Sequence, residues 1–136
     1  MNNDKTIKME KYIWYGNFEK NGKVFNITEP ETPRHWYNYF FNDEYVSFTS
    51  QVGFGDGFCQ DEMGNRIPVL SNRNIFVSEN NKAWSILGLP IKYGYTDYSC
   101  RHTQGSSTIS LKYNDVSSNV RVFVPNTGKY EIWSIT

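Results

Sequence analysis

Two stretches near the end of the chain constrain its fold more than anything else in it. In 108–113, Ile109, Leu111 and Tyr113 alternate with Thr108, Ser110 and Lys112; in 120–124, Val120, Val122 and Val124 alternate with Arg121 and Phe123. A two-residue period sends successive side chains to opposite faces of a strand, so each stretch reads as a strand with one buried face. The connection Asn114-Asp115-Val116-Ser117-Ser118 joins the two as a hairpin. Composition points the same way. The chain has one Ala (Ala83) and four Leu, while 17% of its residues are aromatic. Strong helix formers are scarce, and aromatic and β-branched side chains fit a pleated surface. The expected class is all-β, mostly antiparallel.

The rest of the chain reads as short strands separated by turn residues. Asn21-Gly22 is a hairpin turn signal within 11–28. Pro30 and Pro33 hold the following segment extended. Trp36-Tyr37-Asn38-Tyr39-Phe40-Phe41 then crowds five aromatics into six positions. As a strand it places Trp36 and Asn38 on one side and Tyr37, Tyr39 and Phe41 on the other. It reads either as packing between two sheets or as a ledge for a sugar or a partner subunit. Residues 45–51 alternate as a half-buried strand. Gly53-Phe54-Gly55-Asp56-Gly57 is a loop of positive φ or close backbone approach. It does not lead into a helix, which argues against a phosphate cradle. Residues 66–70 and 74–78 are two more strands, the first demoted by Pro68 to an edge or a bulge. Residues 83–89 fit either a strand or one helical turn, and 91–100 and 130–136 read as strands. The last carries apolar groups on both faces, an edge that invites association.

At 136 residues, one domain spanning 1–136 is expected. Fourteen basic residues balance fourteen acidic ones, so no basic field tracks a phosphate backbone and a nucleic-acid partner is not expected. No apolar run is long enough for a membrane span. Residues 1–11 are polar and show no secretory signal, so a cytoplasmic setting is expected, with Cys59 and Cys100 reduced. Cys59, Cys100, His35 and His102 lack the paired spacings of a zinc site. A Cys100–His102 nucleophile pair would need a third orienting group. Asp43-Glu44 and Asp61-Glu62 are neighbours that diverge on a strand, whereas glycosidic chemistry needs two carboxyls flanking one bond at about 5–9.5 Å. No catalytic residue, metal or cofactor is expected.

The order of several short motifs resembles one family. Thr32-Pro33 precedes Trp36, Asn38 and Tyr39. The Gly53–57 loop leads to Phe58 and Asp61. Cys100-Arg101-His102 runs into a loop with Gly105, and Val122-Phe123-Val124-Pro125 and Glu131-Ile132-Trp133 follow. This is similar to the N-terminal β-sandwich of the inverting disaccharide phosphorylases, the cellobiose and chitobiose phosphorylases of glycoside hydrolase family 94, formerly glycosyltransferase family 36. Thr103 and Ser106 stand where the family often has Gly and Tyr. Gly53-Phe54-Gly55 splits the usual glycine pair.

The resemblance implies a partial two-sheet sandwich, the first half of a galactose mutarotase-like supersandwich. In such enzymes phosphate attacks the anomeric carbon with inversion, while an Asp of a separate (α/α)₆ barrel protonates the leaving sugar. The sandwich helps to form a homodimer and to close the active site. A chain of this length resembles a truncated or split member, non-catalytic by itself. Its implied partners are an oligosaccharide or the catalytic barrel, and self-association is expected. The candidate contact residues are Trp36, Asn38, Tyr39, Gly55, Arg101, His102 and Gly105. The alternative is a free-standing carbohydrate-binding sandwich.

Overall fold

A computed structural model describes residues 15–71, 73–91 and 94–136. The first four positions of the expected hairpin at 11–28, and Lys92 and Tyr93 of the expected strand at 91–100, lie outside the described residues. Among the described residues there are twelve strands: β1 (Gly16–Glu19), β2 (Val24–Ile27), β3 (Asn38–Phe41), β4 (Tyr45–Thr49), β5 (Asp56–Gln60), β6 (Arg66–Ser71), β7 (Phe76–Glu79), β8 (Lys82–Ser85), β9 (Asp97–Thr103), β10 (Ser106–Tyr113), β11 (Val116–Phe123) and β12 (Ile132–Ile135). Every pairing is antiparallel.

The strands form a six-stranded sheet in the order β1-β2-β9-β10-β11-β12, a four-stranded sheet β3-β4-β5-β6 and a small hairpin β7-β8. The chain leaves the large sheet after β2, builds the other two layers, and returns as β9 beside β2. The Asn21-Gly22 hairpin forms as expected. The β10–β11 hairpin also forms, but its strands reach inward to Tyr113 and Val116, so the turn is Asn114-Asp115 and not the five residues expected. Asn114 supplies the positive φ that so short a turn requires. Residues 83–89 resolve as strand β8 followed by a turn; among the described residues there is no helix. Pro68 lies on β6, an edge strand, and the register slips at Gly57/Phe58 opposite it.

One core joins the layers. Ile27, Cys100, Ile109, Leu111, Val120 and Val122 come from the large sheet. They pack with Phe40 of β3 and with Trp84, Ile86 and Leu87 from β8 and the turn after it. The aromatic segment divides as expected: Phe40 is buried, while Tyr39 and Phe41 are 59% and 74% exposed. On β4 the buried side chains are Tyr45, Ser47 and Thr49, and the apolar Val46 and Phe48 face outward. A buried pair of charges decides that inversion.

Candidate functional site

Three of the seven candidate residues converge on one clamp between the sheets. Asn38 opens β3. Its side-chain amide donates to the carbonyls of Thr103 (2.8 Å) and Ser106 (3.1 Å) and to Ser107 Oγ (3.2 Å). Those carbonyls flank the Gln104-Gly105 turn between β9 and β10, so one amide holds both legs of the hairpin. His102 Nε2 is 3.0 Å from the Trp36 carbonyl oxygen, and Nδ1 is 2.6 Å from Ser107 Oγ. A carbonyl only accepts, so Nε2 carries the proton and Nδ1 accepts from the Ser107 hydroxyl. Burial holds the imidazole below its ordinary pKa, and the bond to the Trp36 carbonyl opposes that shift. The Trp36 ring packs on Phe25 at 5.4 Å and edge-on to Tyr15. Its backbone N–H donates to Gln51, whose amide in turn reaches the Pro30 carbonyl and Thr32.

An open hollow of about 760 Å³ lies over this clamp, lined by Phe18, Lys23, Phe25, Asn38, His102 and Gln104. Its walls mix an exposed ring with amide and ammonium donors.

Arg101 does not join His102. Neighbours on a strand face opposite ways, and Arg101 lies on the other side of the large sheet, 3.4 Å from Glu19. Gly105 takes φ +97° in the turn, with open space around it. Tyr39 stands on the outer face of the four-stranded sheet, beside Phe48.

Gly55 belongs to a second cluster; the ordered motifs include this glycine loop, Glu131 and Trp133, but nothing in them pointed to Arg73 or to its pairing with Glu131. Arg73 and Glu131, 58 residues apart, form an ion pair whose side chains are 8% and 0% exposed. Glu131 also accepts from Ser47 Oγ and from Trp133 Nε1. Arg73 donates to the Phe48 carbonyl at 2.7 Å and lies against the Trp133 ring. The Tyr45 hydroxyl faces the same carboxylate, and burial first, then Glu131, pushes its pKa up to about 12. A Cβ at Gly55 would strike the Phe48 carbonyl, and one at Gly57 the Tyr45 hydroxyl. Gly55 and Gly57 therefore let the backbone close over this pair.

Cys100 is buried, its thiol is pushed well above the usual range by desolvation, and His102 stands 3.7 Å away. Glu44 accepts the Gly128 N–H, and Asp61 caps the β5–β6 turn through Met63 and Asn65. Among the described residues no three His, Cys, Asp or Glu are grouped to hold a metal ion. No helix among them is long and apolar enough to cross a membrane.

The profile of the family described as "Glycosyl hydrolase 94, supersandwich domain" matches residues 22–136. The chain is 36% identical over 124 residues to a 3-O-beta-D-glucopyranosyl-beta-D-glucuronide phosphorylase of Paenibacillus borealis, covering 90% of this chain and 16% of that protein. It is 30% identical to a solabiose phosphorylase of the same organism, covering 90% and 17%. An N,N'-diacetylchitobiose phosphorylase of Vibrio proteolyticus is 24% identical, covering 89% and 17%. The chain thus spans about a sixth of the length of these relatives.

Proposed function

Because the chain belongs to the glycosyl hydrolase 94 supersandwich-domain family, we propose that it is the non-catalytic sandwich portion of a disaccharide phosphorylase, built to be docked against. On this reading the sandwich supports a dimer in a reducing cytoplasm, and its loops help to close an active site carried by a helical barrel. Phosphorolysis of the disaccharide, with inversion, belongs to that barrel.

One observation carries this reading. A small domain normally hides its larger apolar side chains, and exposed clusters of them mark interaction surfaces. Here Ile67, Val69, Leu70 and Phe76 of β6 and β7 are exposed, as are Ile132 and Ile135 of β12. Leu70 also lines a hollow of about 410 Å³, together with Ser71, Arg73, Asn74, Ile75 and Trp133. Both β6 and β12 are edge strands, whose free backbone groups also favour pairing.

The test is sedimentation of the purified chain at tens of micromolar, together with an assay for sugar 1-phosphate from cellobiose or chitobiose plus phosphate. The chain is expected to self-associate, to be dispersed by Val69→Lys or Ile135→Lys without loss of its strand-type circular dichroism, and to release no sugar phosphate. A sharp monomer peak, or turnover that disappears on replacing one of its own carboxylates, would show the reading wrong.

A further inference from the structure

The outer face of the four-stranded sheet is built differently from that apolar flank. Phe48 of β4 has the Tyr37 ring edge-on at 5.3 Å and the Tyr39 ring tilted at 5.3 Å. One strand further, Phe58 of β5 carries the Arg66 guanidinium over its ring, 4.6 Å from the centroid. The register puts Asp56 opposite Ser71 and Phe58 opposite Pro68. Phe48, Asp56, Phe58, Arg66 and Ser71 line one open hollow of about 290 Å³. That is at the small end of the ~300–1,000 Å³ of ligand sites, about the scale of one ring.

Asp56 and Arg66 are exposed, and among the described residues neither makes an ion pair or a side-chain hydrogen bond. Stacking on Phe58 holds the guanidinium in place and leaves its in-plane donors unused. A lone carboxylate would select a cation and a lone guanidinium an anion. Both charges, unpaired on one hollow, select a neutral ligand that donates and accepts along its edge. The Phe48 wall asks the same ligand for an apolar face. A protein partner fits poorly, because interface cores are depleted of charged residues and these two would be desolvated without partners.

We propose that this hollow is a binding subsite for one pyranose ring of an oligosaccharide, with Phe48 as the stacking wall, Asp56 accepting from ring hydroxyls and Arg66 donating to them. It lies on the opposite face of the sheet from Ser47 and Glu131 and is independent of the docking role proposed above.

The test is calorimetric titration of the full chain with cellotetraose, and with maltotetraose in a parallel arm. Wild-type binding with either sugar is expected, weakened about tenfold by Asp56→Asn and by Arg66→Gln, the loss expected for one charge-assisted hydrogen bond. Both side chains are exposed, so unchanged circular dichroism and melting would separate a lost contact from a lost fold. No heat from either sugar up to about 10 mM, or equal binding by wild type and both variants, would overturn the proposal. So would variants that abolish self-association while sugar has no effect, since the face would then join copies of the chain.

Discussion

The His102 imidazole and the Trp36 carbonyl, 66 residues apart, are joined by a 3.0 Å hydrogen bond from Nε2. That bond ties the aromatic segment before β3 to β9 of the large sheet. It also makes the clamp sensitive to protonation, because the second ring nitrogen must stay an acceptor for Ser107.

Stability should therefore fall in mild acid. The folded pKa of His102 lies below its ordinary value of 6.5, so between the two the unfolded chain binds more protons. The stabilisation is complete above about pH 6.5 and is lost as pH falls toward the folded value, by at most ~1.4 kcal/mol per pH unit. Urea midpoints at about pH 8 and pH 5 should show this drop, and His102→Gln should flatten it. An unchanged slope in the variant would place the titration elsewhere.

Asn38→Ala should cost about 2–3 kcal/mol. It strips the Thr103 and Ser106 carbonyls of a shared donor, and partly buried acceptors left unpaired are penalised at about this level. Denaturant midpoints measure it. Asn38→Asp should be worse, since a carboxylate would then face two carbonyl oxygens.

Breaking the buried ion pair from one side should be the most damaging change of these. Arg73→Met alone or Glu131→Leu alone leaves an uncompensated buried charge, a loss of about 3–5 kcal/mol. The double substitution should fall well short of the sum, because neither charge remains. An additive result in the double-mutant cycle would contradict the coupling drawn from the geometry.

Two glycines should separate cleanly. Gly105→Ala meets open space and costs only the unfavourable φ of +97°, about 1–2 kcal/mol. Gly55→Ala adds a collision with the Phe48 carbonyl, next to the Arg73 guanidinium. Backbone must move to relieve it, so its loss should be the larger, beyond ~3 kcal/mol. Thermal melts of the two variants compare them directly.

Much of the architecture was legible along the chain. Alternation marks β4, β10 and β11, Asn21-Gly22 marks the first hairpin, and Pro68 marks an edge. Trp36, Asn38 and His102 were also legible as members of one ordered set of motifs. What they do was not. Arg101 and His102 are adjacent in sequence, yet the pleat separates them, and only His102 reaches the clamp.

By itself the sequence determined the strands whose side chains alternate and the hairpins that turn at Asn21-Gly22 and within 114–118, because those choices rest on side-chain shape, period and local backbone freedom. It missed β5, which starts at Asp56 inside the expected loop, and set the strand at 91–100 where β9 runs Asp97–Thr103. It did not determine which face of a strand is buried when both faces carry plausible groups. β4 is the clearest instance: Val46 and Phe48 face outward, while Tyr45, Ser47 and Thr49 face in, and the hydroxyls of Tyr45 and Ser47 meet Glu131. Arg73 and Glu131 arrive beneath them from other parts of the chain, and a buried charge pair needs hydroxyl partners more than those two apolar side chains need burial. That balance exists only once distant segments are packed together. Only the tertiary structure could decide it.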